Sequence, residues 1–289
     1  TELVDAQGLA ARIISLIEQR RLELADMSDE TLSREEHLEQ LKADLKSLEE
    51  ETRRLAASAE EVEDASGDAL RSFIGEGDRQ YLTGLKIGGR RILILLDASA
   101  SMLDETIVNV IRLRNMPDDE KIKAEKWQRA IRTIDWLSTQ MPRDAKFQLY
   151  TFNETARPVI EGTDGEWLDA REVGLLNRAV SDLRDVVPGK GTSLLNAVRV
   201  IGTMDPRPDN VILITDGLPT MGDEPPARRT VSGNARSRLF ARAKREVPRS
   251  LPVNVILFPM EGDPLAAAAY WKLARDTSGA FLSPTEDWP

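Results

Sequence analysis

The stretch Arg91-Ile92-Leu93-Ile94-Leu95-Leu96-Asp97-Ala98-Ser99-Ala100-Ser101 decides the fold. Aliphatic residues run unbroken from Ile92 to Leu96, end in a carboxylate, and are followed by two hydroxyls at alternate positions. A run that is apolar without alternation reads as a strand covered on both faces, as in a parallel sheet. The loop at the carboxyl end of such a strand is where open α/β sheets bind their ligands. One carboxylate and two small hydroxyls in a tight loop suit a hard divalent cation such as Mg²⁺.

Outward from this strand the chain alternates. Strands are predicted at Arg91 to Leu96, Lys146 to Phe152, Pro158 to Ile160, Asn210 to Thr215, Pro252 to Phe258 and Ala280 to Leu282. Helices are predicted at Lys121 to Gln140, Trp167 to Leu183, Leu194 to Met204, Ala235 to Arg245 and Leu265 to Asp276. Strands that alternate with helices make an α/β fold, a doubly wound and mostly parallel sheet flanked by helices. The short strand carrying Pro158 is expected at an edge and antiparallel, since proline cannot donate to a ladder.

Two further loops fall where this sheet would gather them. Pro188-Gly189-Lys190-Gly191-Thr192-Ser193 precedes a helix, and Thr215-Asp216-Gly217 follows the apolar strand Val211 to Ile214. With Asp97-Ala98-Ser99-Ala100-Ser101 they resemble the von Willebrand factor A domain family, over the roughly 200 residues from Arg90 to the C-terminus. The metal-ion-dependent adhesion site of that family is written D-x-S-x-S, then a distant threonine, then a distant aspartate. The matching residues here are Asp97, Ser99, Ser101, Thr192 and Asp216. The resemblance implies a Rossmann-like von Willebrand factor A domain without catalytic activity. It also implies Mg²⁺ (or Mn²⁺ or Ca²⁺) held directly by Ser99 and Ser101, and directly or through water by Thr192, Asp97 and Asp216. Two carboxylates leave a divalent ion underneutralised, so the open position is expected to take an Asp or Glu side chain from a protein partner.

Enzyme readings are weaker. Asp97 as a phosphoryl-accepting nucleophile, as in haloacid-dehalogenase-like phosphatases, needs an acid two residues on, where Ser99 stands. Gly189-Lys190-Gly191-Thr192 breaks the phosphate-loop pattern, because Lys190 is followed by glycine. The single histidine, His37, sits in a highly charged stretch and reads as a solvated surface residue. The absence of cysteine removes disulfides, thiolate zinc sites and cysteine nucleophiles.

With 41% hydrophobic and 30% charged residues, the chain supports a sizeable core plus something strongly solvated. A net charge of −10 argues against nucleic acid or an anionic membrane as the main partner. No transmembrane run is visible. The chain starts at Thr1, which leaves the compartment open: cytoplasmic, or periplasmic or membrane-anchored if a leader has been removed.

Residues 1–66 read as a helical hairpin or coiled coil. Ser33 and Glu36 form a capping box, and Leu38, Leu41, Leu45, Leu48, Thr52, Leu55, Ala59 and Val62 then recur at three-four spacing. The heptads allow folding back on the first helix, docking a partner, or pairing with another copy of the chain. Residues 67–89, rich in glycine, read as a linker with an edge strand near Tyr81, and 90–289 as the von Willebrand factor A-like domain.

Three features do not follow from the motif. Asp104 to Pro117 is inserted after the first metal loop, as a separate helical element or as an extension of the next helix kinked at Pro117. As a separate element it is expected to shield or shape the site. The basic run Arg228, Arg229, Arg236, Arg238, Arg242, Lys244 and Arg245 is a solvated helix face or a dock for an acidic partner. Trp136 is expected in the core and Trp127 at an interface.

Overall fold

The computed structural model describes residues 85, 88–226, 230–285 and 288. The expected hairpin or coiled coil of 1–66, the edge strand near Tyr81, and His37, Arg228 and Arg229 lie outside the described residues. Within them, a seven-stranded sheet is flanked by helices on both faces.

The strands are β1 (Arg91–Asp97), β2 (Lys146–Phe152), β3 (Ala156–Pro158), β4 (Leu168–Asp169), β5 (Asn210–Thr215), β6 (Val253–Leu257) and β7 (Phe281–Leu282). Their order is β3-β2-β1-β5-β6-β7, and β4 also pairs with β2. The pairs β1–β2, β1–β5, β5–β6 and β6–β7 are parallel, while β3 and β4 run antiparallel to β2. This is the doubly wound, mostly parallel α/β sheet that the apolar runs predict.

The helices are α1 (Ile107–Leu113), α2 (Asp118–Ile122), α3 (Glu125–Thr139), α4 (Val173–Arg184), α5 (Leu194–Thr203), α6 (Gly233–Glu246) and α7 (Ala266–Asp276). Alternate side chains of β1 supply the two cores. Ile92, Ile94 and Leu96 pack with Trp127, Ile131 and Ile134 of α3 and Leu176 and Leu183 of α4. Leu93 and Leu95 pack with Leu194 and Val198 of α5, Phe240 of α6 and Tyr270 of α7. The strand is apolar without alternation because both its faces are covered. Each aliphatic side chain so buried contributes about 1.5–3 kcal/mol.

Two expectations are corrected and one open alternative is decided. The helix predicted from Trp167 begins at Val173, because Leu168 and Asp169 pair with Phe147 and Lys146 of β2 as a two-residue strand. The helix predicted from Lys121 is two helices, α2 and α3, with Lys123 and Ala124 between them. The insertion is a separate element, since α1 ends at Leu113 and Pro117 caps α2 instead of kinking one long helix.

The two tryptophans exchange roles. Trp127 is fully buried against the sheet beside Ala130 and Ile131. Trp136, roughly opposite on α3, is partly exposed and packs edge-on against Trp288 at 5.3 Å. The face holding Ala130, Ile131 and Ile134 turns to the sheet, and it carries Trp127 with it.

Candidate metal centre

The register of the sheet builds the site. Leu96 of β1 lies opposite both Thr151 of β2 and Ile214 of β5. Asp97 therefore ends its strand at the level of Thr215, and Asp216 begins the loop beyond. The strand that follows β1 in sequence lies on one side of it and β5 on the other, so the strand order reverses at this point. In doubly wound sheets such a switch point opens the crevice that binds ligands.

Hydrogen bonds draw four of the five predicted residues together. Ser99 N–H donates to Asp97 Oδ1 at 2.8 Å, and Thr215 Oγ1 donates to Asp97 Oδ2 at 2.8 Å. Ser99 Oγ and Ser101 Oγ are 3.0 Å apart, and Ser101 Oγ donates to Asp216 Oδ1 at 2.9 Å. Asp97, Ser99 and Asp216 are buried, and Ser101 is half-buried.

Thr192 joins through the backbone. Gly189 N–H donates to Ala98 C=O at 2.8 Å and Ala100 N–H to Lys190 C=O at 3.1 Å, stapling the second loop onto the first. Thr220 and Met221 N–H groups donate to Thr192 C=O, and Thr192 N–H donates to Thr220 Oγ1. The loop after Asp216 thus holds Thr192 from its other side. Among the described residues, the Thr192 hydroxyl makes none of the hydrogen bonds that link the other four.

The sequence reading missed Lys126. Its ammonium lies 2.7 Å from Asp216 Oδ2, with both side chains 2% exposed. It also donates to the backbone oxygens of Ser101 at 3.0 Å and Asp104 at 3.1 Å. The signal was its place four residues before Ala130, on the face of α3 that points inward. The start of the insertion therefore shapes the site: Asp104 helps hold Lys126, and Glu105 accepts from the buried Arg129 Nη2 at 2.7 Å.

Two buried carboxylates and one lysine set the electrostatics of the cluster. Asp97 is pushed up to about 7, first by burial and then by the Asp216 carboxylate. Lys126 offsets one carboxylate of the two, which leaves the cluster with a net charge of one negative unit when both are ionised. Among the described residues, no group of three or more His, Cys, Asp or Glu is placed to hold a metal, so a cation here would rest on two carboxylates and hydroxyls. That oxygen-only donor set suits Mg²⁺. Its spacing fits as well. Ser99 Oγ, Ser101 Oγ and Asp216 Oδ1 are separated by 3.0 and 2.9 Å, hydrogen-bond lengths that are also compatible with the edge of about 2.9 Å of an octahedron with metal–oxygen distances of about 2.05 Å.

No protein-family model matches the chain, and no curated protein matches it. Solved structures of von Willebrand factor A domains are among its structural neighbours. The von Willebrand factor type A from Catenulispora acidiphila is 19% identical, with a TM-score of 0.44, over 68% of this chain and 39% of that one. The PilB minor pilin from Streptococcus sanguinis is 15% identical, with a TM-score of 0.45, over 69% of this chain and 59% of that one. The conserved hypothetical protein BatB from Bacteroides thetaiotaomicron is 15% identical, with a TM-score of 0.37, over 67% of this chain and 89% of that one. The chain thus spans less than two thirds of the first two. The fold class rests on the strand order above. Among the described residues no helix is long and apolar enough to cross a membrane.

Proposed function

We propose that this chain is a metal-dependent protein-binding or scaffolding module built on an adhesion site of the von Willebrand factor A type. The observation that carries the reading is the oxygen chain Ser99–Ser101–Asp216, closed by Asp97 and spaced as adjacent ligands of a small divalent ion. Ser99 and Ser101 hold the cation directly, Asp97 and Asp216 supply its charge, and Thr192 completes the set from the second loop. Bound there, Mg²⁺ (or Mn²⁺ or Ca²⁺) supplies a Lewis-acidic position for one outside oxygen, an Asp or Glu of a protein partner. Lys126 orients Asp216 by holding Oδ2, which leaves Oδ1 facing the serines.

The same geometry counts against catalysis by Asp97. The residue has no exposed surface, so a bulky phosphoryl group cannot reach its carboxylate. The heptads of 1–66 supply docking or oligomerisation in this reading. A second reading, an assembly component with a purely structural metal, draws on the burial of Asp97 and Ser99.

Calorimetric titration of Mg²⁺ and Mn²⁺ tests the proposal. Wild type is expected to bind one ion, and Asp97→Ala to lose most of that affinity. Wild type that takes up neither metal would remove the adhesion-site reading, and Asp97-dependent phosphatase turnover would favour an enzyme.

A further inference from the structure

An open cavity of about 720 Å³ lies beside the metal loops, with Ala100, Gly191 and Thr220 in its wall. Four of its lining residues are cationic, Arg114, Lys121, Lys190 and Arg236, and one, Glu154, is acidic. In a chain of net charge −10 this is a local inversion of sign. Not all of the four cations are available. Arg236 is held by Asp263 at 2.7 Å, and Lys121 pairs with Asp118 at 2.8 Å. Arg114, at the end of α1, is exposed and has no ion pair among the described residues. Among the described residues Lys190 reaches only Glu154, at 3.9 Å, with its side chain 63% exposed.

Lys190 also sits in the left-handed region, at φ 69°. That conformation costs a residue with a Cβ about 1 kcal/mol or more, and glycine almost nothing. The turn itself is required, because the backbone at 189 and 190 staples the second loop to Ala98 and Ala100. The lysine is not required by packing, since most of its side chain is in solvent. Its neighbours on both sides are glycines. A strained position kept by an exposed cation at the rim of a binding site points to a ligand for that cation.

We infer that the cavity seats an acidic peptide segment of a protein partner, and that Lys190 and Arg114 read its carboxylates while one further carboxylate reaches the metal. The inference rests on the metal-centred reading above and adds the character of the partner: several acidic side chains, not one. The described lining holds no aromatic residue, so bases of a single-stranded nucleic acid would find no stacking platform.

The probe is a fluorescein-labelled hexaglutamate peptide, measured by anisotropy against the full chain with Mg²⁺ and again with chelator. Wild type with Mg²⁺ is expected to bind, with affinity that falls as salt rises. Lys190→Gly is expected to bind about fivefold more weakly, and Lys190→Gly with Arg114→Ala about thirtyfold, the effect of rim charges of about 1 kcal/mol each. The melting temperature of Lys190→Gly should not fall, since glycine accepts the left-handed turn.

The arms separate the two readings. If binding is the same with chelator but falls in Lys190→Gly, the metal reading fails and the basic cavity stands. If binding needs Mg²⁺ but Lys190→Gly and the double variant bind as wild type does, the cavity proposal is overturned and the metal reading stands. Absence of binding in wild type with Mg²⁺, or equal displacement of the peptide by oligothymidylate, overturns the acidic-peptide proposal.

Discussion

Lys126 shows what a single residue does to this site. It is a buried cation placed on Asp216, one of the two carboxylates expected to serve a metal. Removing one partner of a buried pair leaves an uncompensated charge and costs about 3–5 kcal/mol. Lys126→Met is therefore expected to lower the chelated protein's stability by about that amount. The same change gives the cluster one more unit of negative charge, so Mg²⁺ should bind more tightly and restore more stability than in wild type. Chemical denaturation with and without Mg²⁺ reads both effects. A variant as stable as wild type in chelator would show that Lys126 does not anchor the site. That Asp97, Ser99, Ser101 and Asp216 gather at one end of the sheet was legible in the sequence through the motif, while their service as metal ligands stays a proposal. Lys126 was not, because a helix face turns inward or outward by tertiary packing, which the pattern around 121–140 left ambiguous.

Among the elements, those that fill the sheet were the most legible. β1 and β5 carry unbroken apolar runs, β2 is interrupted by Gln148 and Thr151, and the observed bounds of all three match the predicted ones within a residue. β4 was not legible, because two residues carry no periodicity and its pairing with β2 is a tertiary contact. The break between α2 and α3 was missed for a similar reason: Lys123 and Ala124 carry no glycine or proline to mark it. The end of α7 yields a prediction of its own. Thr277, Ser278 and Gly279 N–H groups all turn back onto its last carbonyls, and Ser278 is left-handed at φ 59°. This brings Gly279 so close to β6 that a Cβ there would stand 2.0 Å from Val253 O and 2.4 Å from Val253 C. Val253 is strand backbone and cannot swing aside as a side chain would. Gly279→Ala must push the helix exit away from β6 and loosen β7, which pairs with Val255 and Ile256. A loss of about 3 kcal/mol is expected, near the upper end for forced overpacking. An unchanged urea midpoint would refute the close approach.

For the whole molecule, the sheet buries its switch-point carboxylate so deeply that folding and protonation become linked. Asp97 rises from its ordinary 3.8 to about 7, through burial first and Asp216 second. A raised value means that the folded protein keeps a proton the unfolded chain has released. The stability from that proton is fully present below about pH 3.8 and is lost as pH climbs through about 7. Asp169 runs the other way. The Arg171 guanidinium holds it down to about 2, so its contribution is present above pH 3.8 and is lost as pH falls toward 2. Between these limits the chelated protein should lose stability steadily from about pH 4 to about pH 7. Mg²⁺ should reverse much of that loss, because a cation needs the very carboxylate that folding disfavours. Thermal midpoints across this range, with chelator and with Mg²⁺, read the difference. Asp97→Asn serves as the control: it should flatten the chelated profile. A wild-type midpoint that stays level or rises from pH 4 to 7 in chelator would mean that Asp97 is ionised in the folded protein without a metal. The burial penalty on Asp97 would then already be overcome by its hydrogen bonds from Ser99 and Thr215, with no cation needed to ionise it.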